Sequence, residues 1–408
     1  MPASQKQPDQ AFPAQTRPPA PVSPGRRMVA ACIVLAGFLL VSAVLVLTLA
    51  PSNPAGRDFI EYWAAAQRLV HHASPYNWNG VLAVEKSAGF GLERPEFWYS
   101  PPSDLILALP LGYLSARTGL LLWVVGLFAS LCLALWLLWR LEGRPNSLLP
   151  LAGLAFAPAL ACLQAGQISL LMLLGLTLFL SFHSTRPLLA GAAMLPCTLK
   201  PHLFLPFALV LLLWALLGRR FHLLLGFAAA LAAGTAVTFY FDPHAWAEYS
   251  RMMQTEGMLH EFVPTLAESL RFAIHRNAVW IQFVPEVLAC AWALWYFWAH
   301  RTHWDWMEQG LLVLLVAAVC RPYGWFFDES VLLPVVLAAT LRTERSGRSL
   351  VPIVLAASAA FAVFLAGVPI AGPGYLWTTP AWLLCFLYAT RKSNAAPEKP
   401  IAASLSSN

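Results

Sequence analysis

Long apolar runs separated by short polar turns recur along almost the whole chain. Hydrophobic residues make up 59% of the sequence and charged residues only 11%, whereas a soluble domain carries about 25% charged residues. Many of the runs approach the roughly 20 apolar residues that cross a bilayer as a helix. The sequence therefore predicts an all-α, polytopic membrane protein.

The positions of arginine and lysine suggest how the runs are threaded. If the short, proline-flanked run 101–114 dips into the membrane and returns, the remaining runs form about 12 transmembrane helices, and every basic cluster falls in the cytoplasm. These runs cover 28–50, 116–140, 148–164, 167–183, 187–199, 201–217, 221–241, 279–299, 307–320, 325–341, 349–369 and 374–390. The basic clusters include Arg26/Arg27, Arg140/Arg144, Arg219/Arg220, Arg342/Arg345/Arg348 and Arg391/Lys392. The pattern predicts twelve spans, one re-entrant segment and both tails inside.

This topology also defines the domain organisation. Residues 26–392 form a single transmembrane domain whose long loops, 51–115 and 242–278, lie on the periplasmic face. The tails 1–25 and 393–408 are poor in bulky apolar residues. Because such a composition cannot bury a core, both tails are predicted to be disordered.

The outer loops have their own helical patterns. Residues 58–72, 79–89 and 243–276 show helical spacing, and Thr265 followed by Glu268 matches a capping box. Aromatic side chains of the type that favours the headgroup layer accompany these stretches: Trp78, Trp98, Tyr99, Trp246 and Tyr249. We expect a platform of interfacial helices on the outer face.

Five charged residues fall near the expected membrane boundary on this outer side. Asp58 and Glu61 follow the first apolar run, while Lys200 and Arg321 each end a short run and precede a proline. Asp328 lies a turn or two beyond Arg321. Since charges near the hydrocarbon region are costly, they favour a functional interpretation.

Each of these features also has a structural interpretation. Asp58 and Glu61 fit a helix capping box, D-x-x-E, and a cap can leave one carboxylate oxygen free for catalysis. The two cations could extend to the interface, and Asp328 could be a paired structural charge. Gln164 and Gln167 could satisfy the backbone of a turn between helices.

The grouping of these residues favours a site. Short runs before Lys200 and Arg321 indicate helices that end inside the membrane profile and open a cavity. The two cations would hold a lipid phosphate. Asp58 would accept a proton from an attacking hydroxyl, as a general base does.

Five ordered segments resemble glycosyltransferase family 87. The first outer loop, "RDFIEYWAAAQRLVHHASPYN", is followed by "FWYSPPSDLILALPLGYL", "AGQISLLMLLGL", "LKPHLFLPFALVLLLW" and "RPYGWFFDESVLLP". The last segment departs from the family pattern, because many relatives carry Ser-Pro and a histidine where this chain has Arg321 and no histidine. The resemblance covers roughly residues 28–345.

The resemblance implies a GT-C fold in a bacterial inner membrane. It implies inverting, metal-independent transfer of a mannose-like hexose from a polyprenyl-phosphate donor to a glycolipid or glycan acceptor on the periplasmic face, without a cofactor or nucleic acid. The catalytic base would be Asp58. The substrate-binding residues would be Glu61, Tyr62, Trp63, Tyr99, Gln167, Lys200, His202, Arg321, Trp325 and Asp328.

Other functions predict other patterns. A transporter or flippase, the main alternative, would carry more ionisable residues in mid-span and some repeat symmetry, and neither is clear here. A polymerase or ligase acting on lipid-linked sugars would place its large loop late in the chain. The longest outer loop here follows the first span, which favours the glycosyltransferase.

Overall fold

The computed structural model describes residues 53–391, apart from 146, 148 and 256–262. Every regular element in this part of the chain is helical. The first apolar run, 28–50, and both predicted disordered tails lie outside the described residues.

The described residues form sixteen α-helices that follow one another, linked in several places by 3₁₀ turns. They are α1 (Phe59–Val70), α2 (Trp78–Ser87), α3 (Leu105–Ala108), α4 (Ala116–Leu141), α5 (Ala157–Ala165), α6 (Ser169–Phe182), α7 (Pro187–Ala192), α8 (Leu205–Leu217), α9 (Phe221–Phe241), α10 (Ala245–Thr255), α11 (Leu266–Ile274), α12 (Val284–His300), α13 (Leu311–Cys320), α14 (Leu333–Arg345), α15 (Val351–Leu365) and α16 (Thr378–Thr390).

Three helical stretches in the described residues are long and apolar enough to cross a membrane. They are α4, α9 and Val279–His303, which contains α12. Six further apolar helices are shorter, between 10 and 17 residues. A helix of the length of α6 extends only about 21 Å, less than the roughly 30 Å of a hydrocarbon core. The apolar helices support a membrane protein, but the count of about twelve spans is not confirmed.

Prolines explain why several predicted spans are interrupted. The run 148–164 begins with the 3₁₀ segment Leu149–Ala155 before α5, and the run 325–341 begins with Phe326–Leu332 before α14. Pro158 and Pro334 occupy the first turns of those two α-helices. Since proline lacks the backbone N–H of a helix interior, each one marks the start of a new helix.

The proline-flanked run 101–114 is also broken. It consists of the 3₁₀ turn Pro102–Asp104, the single turn α3 and the 3₁₀ segment Leu109–Tyr113. At Gly112 the chain passes so close to α1 that an added Cβ would lie 2.4 Å from the carbonyl oxygen of Ala66. The run is therefore no continuous spanning helix and packs against α1 instead.

The predicted helices of the outer loops are confirmed. Helices α1 and α2 correspond to 58–72 and 79–89, and α10 and α11 fall within 243–276. We call these four helices the outer platform. Thr265 accepts a hydrogen bond from the backbone N–H of Glu268 at 3.1 Å, which confirms half of the capping box. The Glu268 carboxylate binds the N–H of Val263 instead of completing it.

One aromatic residue of the predicted headgroup layer lies elsewhere. Trp98 is only 1% exposed, and its ring packs edge-on against Tyr62 at 5.7 Å between centroids. The expectation that Trp98 faces the membrane surface is therefore wrong. The buried ring contacts α1 through Tyr62, so Trp98 contributes to the packing of that helix.

Candidate active site

Asp58 begins α1 but does not cap it. Its backbone is already helical, with φ −61° and ψ −18°, and its side chain makes no capping hydrogen bond. A capping side chain needs an extended backbone to turn back onto the helix. The expectation that Asp58 caps its helix is wrong. Its Oδ2 instead accepts a hydrogen bond from Nε2 of Gln167 at 2.9 Å.

A left-handed turn places Gln167 beside α1. Helix α5 ends at Ala165, and Gly166 adopts φ +70°, a conformation that glycine takes without strain. The indole of Trp123 donates to the Gly166 carbonyl at 2.7 Å. Gln167 is only 6% exposed, so the turn presents its amide in a fixed position.

The Gln167 amide connects a carboxylate to a cation. Its Oε1 accepts from the Tyr62 hydroxyl at 2.6 Å and from Nζ of Lys200 at 3.3 Å. Lysine only donates and a carboxylate only accepts, so these partners determine which end of the amide faces Asp58. Tyr62, Gln167 and Lys200 together orient the Asp58 carboxylate.

Asp328 completes this network from the other side. Its Oδ1 accepts from Nζ of Lys200 and from the Ser169 hydroxyl, both at 2.7 Å, and Oδ2 accepts from the backbone N–H of Trp325 at 3.0 Å. Asp328 is fully buried. The prediction that Asp328 binds substrate stays a prediction, and the contacts of Asp328 in this structure are all with protein groups. Asp328 is the paired structural charge, and it positions Lys200.

Arg321 is buried and paired with a carboxylate. Its Nη2 lies 3.3 Å from Oε1 of Glu329, and the residue is 4% exposed. Glu329 also accepts from the hydroxyl of Thr378 and the indole of Trp382, both on α16. This buried carboxylate neutralises Arg321 in the structure, and the prediction that Arg321 holds a donor phosphate stays a prediction.

The aromatic pair on α1 is likewise structural. Tyr62 is 3% exposed and Trp63 is 6% exposed. The Tyr62 hydroxyl binds Gln167, and the Trp63 indole donates to the Leu114 carbonyl at 2.9 Å. These contacts fix both rings within the protein, and the prediction that they bind substrate directly stays a prediction.

The remaining predicted residues lie around this network and are partly exposed. The ring of Trp325 lies 5.5 Å from Nζ of Lys200, and the His202 ring stacks on Tyr323 at 3.7 Å. Both His202 ring nitrogens lack a hydrogen-bond partner among the described residues. The Tyr99 carbonyl accepts from the Tyr249 hydroxyl at 3.3 Å. Glu61 is on α1, one turn from Asp58.

A cavity of about 530 Å³ opens at Asp58. Arg57 lies on its wall beside Asp58, and the Arg57 guanidinium donates to the Gln164 carbonyl. The opposite wall is apolar and comes from the end of α15 and the residues after it: Phe364, Val368 and Ile370. Among the described residues, Oδ1 of Asp58 has no hydrogen-bond partner, so this oxygen is free to accept a proton.

Sequence reasoning missed Arg57. The residue is adjacent to Asp58 in "RDF", yet the arginine and lysine next to prolines drew attention because they end apolar runs. The signal that could have found it is a cation directly before the predicted base, and the structure shows that both residues line one cavity. Arg57, and not Arg321, is the cation at the cavity.

The surroundings of the two outer carboxylates raise their pKa values. Burial raises the pKa of Asp58, and the Gln167 hydrogen bond and the Lys200 charge oppose that rise. Burial, with the nearby Asp58 charge, raises the pKa of Glu61 to about 8. A carboxylate whose pKa moves toward neutrality is a better general base.

The described residues hold no group of three or more His, Cys, Asp and Glu side chains that could bind a metal ion. What they do hold is an acid beside a cation at an apolar-walled cavity, in a helical protein with helices long enough to cross a membrane. The protein is therefore of the helical membrane class, and its candidate site pairs a carboxylate with a guanidinium.

The family model for glycosyltransferase family 87 matches residues 97–341, more than half of the chain. The chain therefore belongs to glycosyltransferase family 87, and the resemblance is confirmed over the range that contains four of the five segments. No curated protein and no solved structure matches the chain. The matched range contains Gln167, Lys200 and Asp328 but begins after Arg57 and Asp58.

Proposed function

We propose that this glycosyltransferase moves a hexose, mannose-like, from a polyprenyl-phosphate donor to a hydroxyl of a glycolipid or glycan. The observation that carries the proposal is the placement of Arg57 and Asp58 side by side on a cavity with an apolar wall. A lipid-linked sugar presents an apolar chain, an anionic phosphate and a reacting carbon in that order. The cavity offers a matching surface to each of them.

The donor would be held by two kinds of contact. The guanidinium of Arg57 is suited to phosphate oxygens, because it presents planar, charge-assisted donors. Phe364, Val368 and Ile370 would pack against the first isoprene units of the lipid. Lys200 is only 13% exposed and already paired with Asp328, so its charge acts on the site mainly through Gln167.

Asp58 would act as the general base. Oδ1 takes the proton of the acceptor hydroxyl as the acceptor oxygen forms its bond to the anomeric carbon. The bond from that carbon to the phosphate oxygen breaks on the opposite face, which inverts the configuration and releases polyprenyl phosphate. Arg57 balances the charge that develops on this phosphate, and such stabilisation of developing charge is often the largest catalytic contribution.

The proposal also states on which membrane face the reaction takes place and whether it needs a metal ion or cofactor. The reaction takes place on the outer face of a bacterial inner membrane, where the outer platform and the cavity lie together in the topology that the basic clusters favour. Neither a metal ion nor a cofactor takes part, because the leaving group is a lipid monophosphate whose charge one cation balances.

The test uses purified protein in lipid with a panel of radiolabelled polyprenyl-phosphate sugars and a crude membrane-glycan acceptor. Wild type should move label from one donor to the acceptor, and Asp58→Asn should lose about 100-fold or more of that rate, as expected for a general base. Equal transfer by the two proteins would reduce Asp58 to a structural role. Absence of transfer with every donor, combined with movement of donor across the bilayer, would favour a flippase.

A further inference from the structure

The turn between α8 and α9 carries two exposed arginines, Arg219 and Arg220. Helix α8 begins at Leu205, shortly after Lys200 in the Asp58 network, and its 13 residues extend about 20 Å. Helix α9 is long enough to cross a membrane and leads back to α10 of the outer platform. The turn therefore lies at the end of this helix pair that is opposite to the outer platform.

Arg219 has a backbone conformation that arginine rarely adopts. Its φ is +51°, in the left-handed region that glycine usually fills just after a helix. The neighbouring glycine, Gly218, has φ −81° and does not take that position. A non-glycine residue in the left-handed region costs free energy, and such a cost points to a functional reason for keeping the side chain.

Gly218 is needed for a different reason. A Cβ at this residue would lie 2.9 Å from the carbonyl oxygen of Trp214 and 3.3 Å from Nε of Arg220. Because no Cβ is there, the Arg220 side chain folds back over Trp214, and its Cζ lies 4.1 Å from the centroid of that ring. A guanidinium that stacks by its face keeps its N–H groups in the plane, where they can bind a phosphate in a bidentate manner.

No carboxylate pairs with these two arginines in the described part of the chain, where the ion pairs join other residues. An acid of the neighbouring segment is Asp305, next to Trp306, whose ring lies 5.3 Å from that of Trp214. Oδ1 of Asp305 accepts the N–H groups of Met307 and Glu308 at 2.6 and 3.2 Å. The turn therefore presents two positive charges that an external anion can neutralise.

The side chains next to the two arginines are apolar. Leu216, Leu217 and Phe221 are 47%, 53% and 57% exposed. A free anion would leave them in water, whereas a phospholipid would cover them with its acyl chains while its phosphate contacts the guanidinium groups. Arginines at a membrane boundary also attract lipids whose headgroup carries a net negative charge. Charge and apolar surface together fit an anionic phospholipid.

We propose that the α8–α9 turn is a binding site for one anionic phospholipid, whose phosphate contacts Arg219 and Arg220. The acyl chains lie against Leu216, Leu217 and Phe221. A zwitterionic phospholipid binds less tightly, because its own cation faces the two arginines. This inference does not depend on the proposed transfer reaction.

Native mass spectrometry of the full-length protein in detergent measures the affinity of the first bound lipid. The protein is titrated with dioleoylphosphatidylglycerol, with dioleoylphosphatidylcholine, and with glycerophosphoglycerol, the anionic headgroup without acyl chains. Phosphatidylglycerol should bind about tenfold tighter than phosphatidylcholine, and the headgroup alone should bind far more weakly. Arg220→Gln should weaken phosphatidylglycerol binding about tenfold, because it removes a charge-assisted hydrogen bond.

Arg219→Gly separates lipid binding from a structural role of the side chain. It should weaken phosphatidylglycerol binding about as much as Arg220→Gln does. It should not lower the unfolding temperature in the absence of added lipid, because glycine adopts φ +51° without strain.

Arg251→Gln is the matched control, since Arg251 is an exposed arginine of α10 on the outer platform. This variant should bind phosphatidylglycerol like the wild type. The proposal is overturned if phosphatidylglycerol binds no tighter than phosphatidylcholine, or if the headgroup alone binds as tightly as the lipid. Normal phosphatidylglycerol binding by both Arg219→Gly and Arg220→Gln would overturn it as well.

Discussion

Two buried ion pairs have adjacent carboxylates, Asp328 and Glu329, and differ in what they connect. Lys200–Asp328 joins Asp58 through the Gln167 amide. Arg321–Glu329 instead reaches α16 through the hydroxyl of Thr378 and the indole of Trp382. We call them the Lys200 pair and the Arg321 pair. The comparison shows that a buried charge near an active site acquires a role from its hydrogen-bond partners and not from its position in the sequence.

The largest expected effects come from removing one carboxylate of each pair. Asp328→Asn and Glu329→Gln each leave a buried cation without its counter-charge, and this typically costs about 3–5 kcal/mol of stability. Thermal unfolding of the purified variants should show both losses. The rate of sugar transfer should distinguish the two variants, because only Asp328→Asn disturbs the hydrogen-bond network that holds Asp58.

Activity is compared per folded molecule, at a temperature where both variants remain folded. Glu329→Gln should then retain near wild-type transfer, whereas Asp328→Asn should lose most of it. Equal losses of activity in the two variants would mean that the Arg321 pair also serves the site, and the distinction between the pairs would fail.

The second prediction contrasts two arginines. Arg57→Gln should raise the KM for the lipid donor about 10- to 100-fold, because a charge-assisted hydrogen bond contributes roughly 1.5–3 kcal/mol. Its effect on stability should be small, since Arg57 is partly exposed. Arg321→Gln should instead lower the unfolding temperature and leave the KM unchanged. Donor titrations and thermal unfolding of both variants provide the measurement.

Arg57→Lys is the control for charge alone. It should recover part of the lost donor affinity, since it keeps the positive charge but lacks the planar guanidinium. An unchanged KM in Arg57→Gln would remove Arg57 from the proposed donor site.

The third prediction concerns pH. The Gln167 hydrogen bond and the Lys200 charge lower the pKa of Asp58 against the rise caused by burial. Gln167→Leu removes the hydrogen bond, so the pKa of Asp58 should rise further. Because the base must be unprotonated, kcat/KM rises with pH through this pKa, and its acidic limb should move to higher pH. The pH profile of kcat/KM for the variant and the wild type measures the shift.

Thr378→Val is the control, because it removes a hydrogen bond of the Arg321 pair. The acidic limb of its kcat/KM profile should stay at the wild-type pH. A limb that does not move in Gln167→Leu would show that some group other than Asp58 controls the acidic side of the profile.

How well the sequence predicts a feature of this protein depends on how far apart in the chain the interacting residues are. The α1 and α2 helices, the broken run 101–114 and the Thr265 cap are local, so periodicity and prolines were sufficient for them. The clustering of Asp58 with Gln167 and Lys200 was also anticipated, because one topology puts all three on the same side.

The partners of each charge were not predictable in the same way. Glu329 is only eight residues from Arg321, but nothing in the sequence marks it as the partner of Arg321, and Thr378 on α16 is farther still along the chain. The position of the Glu329 carboxylate depends on its contacts with Thr378 and Trp382 of α16, which composition and spacing do not encode. The same reason explains why the sequence did not identify Arg57. Its place in the site depends on a cavity whose other wall is formed by Phe364 and residues that follow α15.

The smallest expected effects come from single hydroxyls, one in each ion pair. Ser169→Ala removes a hydrogen bond to Asp328, and Thr378→Val removes one to Glu329. Each change should cost about 1 kcal/mol of stability, because the carboxylate keeps its other partners. Equal stability losses with unequal transfer rates are the expected result, since only Ser169 acts on the Lys200 pair and so on Asp58. If Thr378→Val slowed transfer as much as Ser169→Ala, the two ion pairs would have to be treated as one coupled network, and α16 would belong to the machinery that positions the base.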